Sequence, residues 1–373
     1  MTEPSQTMTP PLATRLPHVL AMLYGFAIVY ASLEPFSPWL PPPPGTAFFL
    51  FAPPARWVRG DIVLNVVAYV PFGLFVALLR RGASPARRIA SALAIGAAMS
   101  FAMESLQMYV PPRIASVNDL VTNSAGALVG GILATLIARS ARARRVIYRA
   151  RGRLFLPGHL GDIGVGLLLL WFVAQMNPGI PLFAMAFDND TVTAIGTSVV
   201  ATPAPHESAD SLVQAAASAF QVLGVGLFVA LLLRRRRYAG TIVVAMIVGA
   251  LALKAFAAVV MLRPNVWQTW VRLPMLAGIA AGAILLRLAI ALPRPVQVAV
   301  CAIALLSALC APVLAPETLT GPVPIALFDW RYGQLLNYNA LTRVTLLLWP
   351  VLAALWLFVL AGRPAWGKPV DAA

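Results

Sequence analysis

The sequence predicts an all-α fold, a polytopic integral membrane bundle of about ten transmembrane helices, and three observations carry that prediction. Of the 373 residues, 60% are hydrophobic and only 11% charged, a balance at which a domain of this size does not stay in water. Apolar runs long enough to cross about 30 Å of hydrocarbon recur along the whole chain. The net charge of +15 is collected in alternate connections, the pattern of membrane topology and not of a nucleic-acid-binding surface, so no nucleic-acid partner is expected.

The apolar runs fall at roughly 19–34, 61–79, 89–108, 120–138, 160–176, 212–233, 241–262, 273–291, 296–313 and 342–361. The first is short. Arg15 before it, with Ala31 and Ser32 near its end, also permits a cleavable signal segment, which would leave the remaining topology unchanged. Arg80, Arg81, Arg87 and Arg88 follow the second run, seven arginines lie between Arg139 and Arg153, and Arg234 to Arg237 follow the sixth, whereas the connection from Asn177 to Ser211 has no arginine or lysine. By the positive-inside rule the basic connections and both termini are cytoplasmic, in a multi-pass membrane protein. The run from Arg139 to Arg153 also suits anionic lipid headgroups. The chain thus divides into a first membrane region over 1–138, a basic cytoplasmic linker over 139–159 and a C-terminal transmembrane helical region over 160–373.

Pro35, Pro38 and Pro41 to Pro44 make the first outer connection a stiff spacer, because proline lacks an amide donor and favours extended backbone. Asp61 opens the second helix, with Asn65 one turn further on the same face. Pro71 frees the carbonyl of Val67 inside this helix, and Gly73 allows close packing beside it. The third helix carries Glu104 and, three residues on, Gln107, and is ended by Pro111 and Pro112. Arg113 lies in the short turn that follows. Asp119 begins the fourth helix, where Asn123, Gly126 and Gly130 share a face and the two glycines signal close helix packing.

Ionisable and amide groups are costly in a bilayer and mark function. By helix rise Asn65 and Asn123 lie about 6 Å inside their helix starts, and Glu104 about 8 Å below the outer end of its own. Short connections make these helices neighbours, so Asp61, Asn65, Glu104, Gln107, Arg113, Asp119 and Asn123 are expected to converge in one slab as an outward-facing binding site. A hydrogen-bond network that merely ties helices together is the alternative. Cys301 and Cys310 stand on opposite faces of one helix, and His18, His159 and His206 are scattered. No metal, cofactor or catalytic residue is therefore expected, and the residues lean away from an enzyme without deciding the point.

In these residues the sequence resembles the VanZ-like family of bacterial membrane proteins, named after a determinant associated with resistance to the glycopeptide teicoplanin. The family's aspartate, asparagine and Pro-Phe-Gly element correspond to Asp61, Asn65 and Pro71-Phe72-Gly73. Its glutamate, glutamine, arginine, aspartate, asparagine and glycine series corresponds to Glu104, Gln107, Arg113, Asp119, Asn123 and Gly126. The resemblance covers about residues 19–138 and implies a non-enzymatic cell-envelope or antibiotic-resistance protein. Its partners would be membrane lipids and a cell-wall precursor or a glycopeptide. A carrier or flippase of a lipid-linked envelope component is the alternative, and an enzyme at the outer leaflet ranks last.

Beyond that stretch, Lys254 is the one cation placed deep in an apolar run. By depth it is expected to contact Glu104 or Asp119 and tie the two halves together. Asp188-Asn189-Asp190 reads as a solvated outer loop, and Trp267 and Trp270 as interfacial anchors. Cysteine labelling tests the orientation. With Arg142→Cys, an impermeant thiol reagent should leave the protein unmodified in intact cells and modify it after lysis; labelling in intact cells would reverse the topology.

Overall fold

The computed structural model describes residues 14–53, 57, 59–111, 113–177, 207–265, 267–268, 271–314 and 332–363. Asp188 to Asp190, Trp270 and the segment 315–331 lie outside the described residues. The described chain forms eleven α-helices and, among the described residues, no strand beyond an isolated bridge between Phe155 and Leu233. They are α1 (Leu16–Leu33), α2 (Arg59–Leu79), α3 (Pro85–Gln107), α4 (Val117–Arg139), α5 (Ala141–Leu154), α6 (Gly158–Gln175), α7 (Glu207–Leu232), α8 (Ala239–Met261), α9 (Leu273–Ala289), α10 (Arg294–Leu314) and α11 (Tyr332–Ala361).

Eight of these helices are long and apolar enough to span a membrane. The sequence suggested about ten spans; the other two apolar helices, α9 and the described part of α10, Arg294–Ser307, are shorter. At about 1.5 Å per residue, the 17 residues of α9 rise about 26 Å, just under the hydrocarbon thickness. A second difference lies at 139–159. This linker is mostly the regular helix α5, whose first turn is capped by the Ser140 hydroxyl accepting from the amide of Ala143 at 3.1 Å.

Helices α2, α3 and α4 pack on one another, and α2 and α4 make the closest approach. Glycines permit it. A Cβ added at Gly126 would collide with the carbonyl oxygen of Val66, at Gly130 with that of Val70, and at Gly73 with that of Ala127. The Gly126 to Gly130 spacing therefore does what small residues four apart do between membrane helices, bringing two backbones together. Helix α2 runs unbroken through Pro71. On the opposite face of α4, Gly131 abuts Ala92 and Ile89 of α3.

The second half has a larger apolar core built from α6, α7, α8, α9, α10 and α11, including the buried Trp171, Phe228, Trp349 and Trp356. Indole nitrogens of Trp349 and Trp356 donate to the carbonyls of Leu167 and Leu160 at 2.7 and 2.8 Å, fastening α11 to α6. The same small-residue device recurs here, with Gly278 and Gly282 of α9 against the carbonyls of Ala215 and Ala219 of α7.

Helix α1 packs on α2 and α3 of the first half and on α6 and α11 of the second. Asp162, 1% exposed, holds its start. One carboxylate oxygen accepts from the Thr14 hydroxyl at 2.7 Å and from Arg151 at 2.7 and 3.0 Å, and the other accepts from the Arg15 amide at 2.7 Å. Arg81, from the connection between α2 and α3, donates to the carbonyl of Thr14. An acid at a helix start complements the dipole, and its desolvation is offset by the paired guanidinium and the extra donors.

Lys254 does not make the link expected of it. It is fully buried on α8, and its nitrogen donates to the carbonyl of Asn177 at 2.8 Å, while the Asn177 amide donates to the Thr342 hydroxyl at 2.8 Å. Helix α8 packs on α6 and α7 and not on the helices that carry Glu104 and Asp119. The reason is lateral: depth along a helix says nothing about which neighbours surround it. Among the described residues the one ion pair is Arg151 with Asp162.

The glycine contact makes a signed prediction. Gly130→Ala should destabilise the purified protein by about 1–3 kcal/mol through overpacking against α2. Gly60→Ala, where an added methyl meets nothing within 4 Å, should stabilise it by about 1 kcal/mol or less through helix propensity. Denaturant unfolding in detergent measures both, and equal effects would refute the packing account.

Candidate functional site

The seven polar residues singled out in the sequence all lie at or near one end of the α1–α4 group, the end opposite the arginine-rich connections. Each is positioned by a local feature. Asp61 sits in the first turn of α2 with Asn65 one turn on, and Glu104 and Gln107 occupy the last turn of α3. Ser116 caps α4, its hydroxyl accepting from the amide of Asn118 at 3.1 Å, and thereby sets the start from which Asp119 and Asn123 project.

Their hydrogen bonds form two tiers, one helical turn apart along α3 and α4, with Glu104 and Asp119 in the first and Ser100 and Asn123 in the second. In the first tier the Asn65 amide donates to Asp119 at 2.8 Å, joining α2 to α4, and the Ser116 backbone amide donates to Glu104 at 2.8 Å, joining α3 to the turn before α4. Asp61 lies within electrostatic reach of Asp119. Glu104 is 3% exposed, whereas Asp61, Asn65 and Asp119 are half-buried.

Arg113 and Gln107 join the first tier to α1. The Arg113 guanidinium donates to the carbonyl of Glu34 at 2.8 Å and to that of Ala31 at 2.9 Å, and the Gln107 amide donates to the carbonyl of Ser32 at 3.0 Å. These are the otherwise unsatisfied carbonyls at the end of a helix, so both side chains act as C-terminal caps of α1. Burial lowers the pKa of Arg113 from its ordinary value, while the nearby carboxylates of Glu34 and Glu104 pull it back up. Glu104 is thus a neighbour of Arg113 without a direct ion pair, and the guanidinium is spent on backbone.

The second tier lies deeper. The Asn123 amide donates to the Ser100 hydroxyl at 3.0 Å, joining α4 to α3. Among the described residues neither the Tyr69 hydroxyl, on α2 beside Ser100, nor the amide oxygen of Asn123 has a hydrogen-bond partner. Tyr69, Ser100 and Asn123 are 5%, 0% and 7% exposed. Turning the Asn123 amide over would exchange the bonded atom and leave the other end unsatisfied.

Sequence reasoning missed Tyr69, Ser100, Ser116, Glu34 and, in the other half, Asp162. Two signals were available. Tyr69 follows Asn65 by one helical turn and Ser100 precedes Glu104 by one, so each extends a polar face already recognised. Asp162 is an acid inside an apolar run, which the cost of intramembrane charge flags by itself.

Chemically, the first tier presents carboxylates held by neutral donors. Glu104 and Asp119 each accept one hydrogen bond among the described residues, well short of what a carboxylate can accept. Of the seryl groups here, the Ser100 hydroxyl accepts from the Asn123 amide and Ser116 donates its backbone amide to Glu104. Among the described residues no three histidine, cysteine or acidic side chains gather as a metal-holding group.

The second tier supplies the test of this geometry. Tyr69→Phe removes an unpartnered buried hydroxyl and should leave stability unchanged or raise it by up to about 1–2 kcal/mol. Ser100→Ala, which orphans the Asn123 amide, should cost about 1–3 kcal/mol. Unfolding midpoints of the two purified variants decide it, and a loss with Tyr69→Phe would show that the hydroxyl is engaged.

Residues 14–138 match the protein family described as VanZ/LLP1. No curated protein and no solved structure matches the chain.

Proposed function

We propose, from the match of residues 14–138 to the VanZ/LLP1 family, that the chain is a non-enzymatic envelope protein of the bacterial inner membrane. Its polar first tier faces outward and binds a donor-rich component of the cell envelope or a glycopeptide. The observation that supports this reading best is the state of the carboxylates. Glu104 and Asp119 are held by a backbone amide and a side-chain amide, so their remaining lone pairs suit ammonium, amide and hydroxyl donors. Amino-sugar and peptide portions of cell-wall precursors, and the amines of glycopeptides, carry such donors.

The orientation supports the same reading. Arginines gather at the opposite end of the bundle, which makes that end cytoplasmic and directs the acids outward. The resemblance to a teicoplanin-resistance determinant supplies the biological direction: occupancy of the site limits the access of a glycopeptide to its target or the damage it causes. A carrier driven by a charge switch between Lys254 and Glu104 finds no support, because Lys254 is held by Asn177 in the other half.

The test is protection. In a susceptible host the wild type should raise resistance to teicoplanin, and Glu104→Gln or Asp119→Asn should each lower it at unchanged protein level. The double variant should lose less than the sum of the two, with a coupling of about 0.5–3 kcal/mol in the corresponding ligand titration. Unaltered susceptibility in the host, together with no binding of teicoplanin or lipid-linked precursor to the purified protein, would overturn the reading.

A further inference from the structure

Helix α5 stands apart from the rest of the chain. None of its residues is fully buried, and it carries Arg142, Arg144, Arg145, Arg149, Arg151 and Arg153 within 14 residues. At about 100° per residue, Ala143, Val146, Ile147, Ala150 and Leu154 share one sector about 100° wide. Arg142, Arg145, Arg149 and Arg153 share the adjoining sector. Val146 and Ile147 are 61% and 49% exposed, an apolar stripe that water would not leave uncovered on a soluble surface. The four arginines are exposed as well.

Position decides what covers the stripe. Helix α5 follows α4 after Ser140 alone and is joined to α6 by residues 155–157, so both its ends are tied to membrane-spanning helices. Its C-terminal end is fastened to the bundle. Arg151 pairs with the buried Asp162 at 2.7 Å and donates to the carbonyl of Leu156 at 2.8 Å. The amide of Leu156 donates to the carbonyl of Leu232 at 2.9 Å, and that of Arg234 to the carbonyl of Leu154 at 2.8 Å. The helix is thereby held at the rim of the bundle, at the depth where spans end and headgroups begin. Arg234, Arg235 and Arg237 emerge beside it.

We propose that α5 is an interfacial helix whose apolar stripe lies in the bilayer surface and whose exposed arginines bind the headgroups of anionic phospholipids. Charge complementarity selects this occupant: a stripe flanked by guanidinium groups, which bind phosphate through paired N–H donors, fits an anionic lipid surface and repels a second copy of the same helix. Arg151 has a separate role, since its guanidinium is taken up by Asp162 and sets where the helix docks. The inference is independent of the polar site at the other end.

The experiment uses the full chain in nanodiscs of phosphatidylcholine, with and without phosphatidylglycerol. In a Cys301→Ala, Cys310→Ala background, Val146→Cys carries an environment-sensitive fluorophore. Nitroxide lipids should quench it more than aqueous iodide does, most clearly with phosphatidylglycerol present. Native mass spectrometry of the unlabelled protein should show phosphatidylglycerol retained over phosphatidylcholine, the preference falling about fivefold for each of Arg142→Gln, Arg145→Gln and Arg149→Gln. Iodide quenching the probe freely in both discs would overturn the proposal. So would disulfide cross-linking between copies through Val146→Cys in place of lipid contact, or a preference for phosphatidylglycerol that survives the triple substitution.

Discussion

The first half of this protein depends on how closely α2 and α4 approach. Hydrocarbon offers no hydrophobic incentive for apolar helices to associate, so their association rests on van der Waals contact and on hydrogen bonds between them. Gly73, Gly126 and Gly130 supply the first by letting backbone meet backbone. The second follows from it: only at that separation can the short side chains of Asn65 and Asp119 meet at 2.8 Å. Helix α3 is drawn onto the same pair by Gly96 and Gly131, whose missing side chains leave room for Ala127 and Ala92, and Ser100 then reaches Asn123. The polar tiers are in this sense a product of the glycines.

The polar groups at that end of the bundle are divided between two tasks. Arg113 and Gln107 satisfy carbonyls at the end of α1, and Ser116 starts α4. These groups hold the turn between α3 and α4 and the end of α1 in place. Glu104 and Asp119 have each accepted a single bond from a neutral donor and keep acceptor capacity. The hydrogen-bond network thus orients the two carboxyl groups on which the proposed site rests. Desolvation of Arg113 is tolerable because backbone carbonyls and two nearby carboxylates replace water.

The two halves meet through α1 and through the buried Asp162, which receives Thr14, Arg15 and Arg151 from two other segments. This joint lies at the arginine-rich end, far from the acids. It also places α5, because the residue that pairs with Asp162 belongs to that helix. One buried carboxylate thus positions the start of α1, the start of α6 and a surface helix together, its burial offset by a paired guanidinium and two further donors.

The sequence by itself determined the class and the apolar segments, because the hydrocarbon thickness imposes a length on every span and composition cannot hide it. It also pointed to the seven polar residues and the glycine spacing, since polar groups and small residues stand out against an apolar background. Partnership was decided by the tertiary structure. Depth along a helix placed Lys254 a little deeper than Glu104 and within snorkelling reach of it, yet the lateral arrangement of helices gave it Asn177 instead. The same information was missing for Asn123, which meets Ser100, and for Arg113, which meets the carbonyls of Ala31 and Glu34. Rise per residue fixes one coordinate of a side chain; the other two come from which helices pack together and how each is rotated, and those are properties of the assembled bundle.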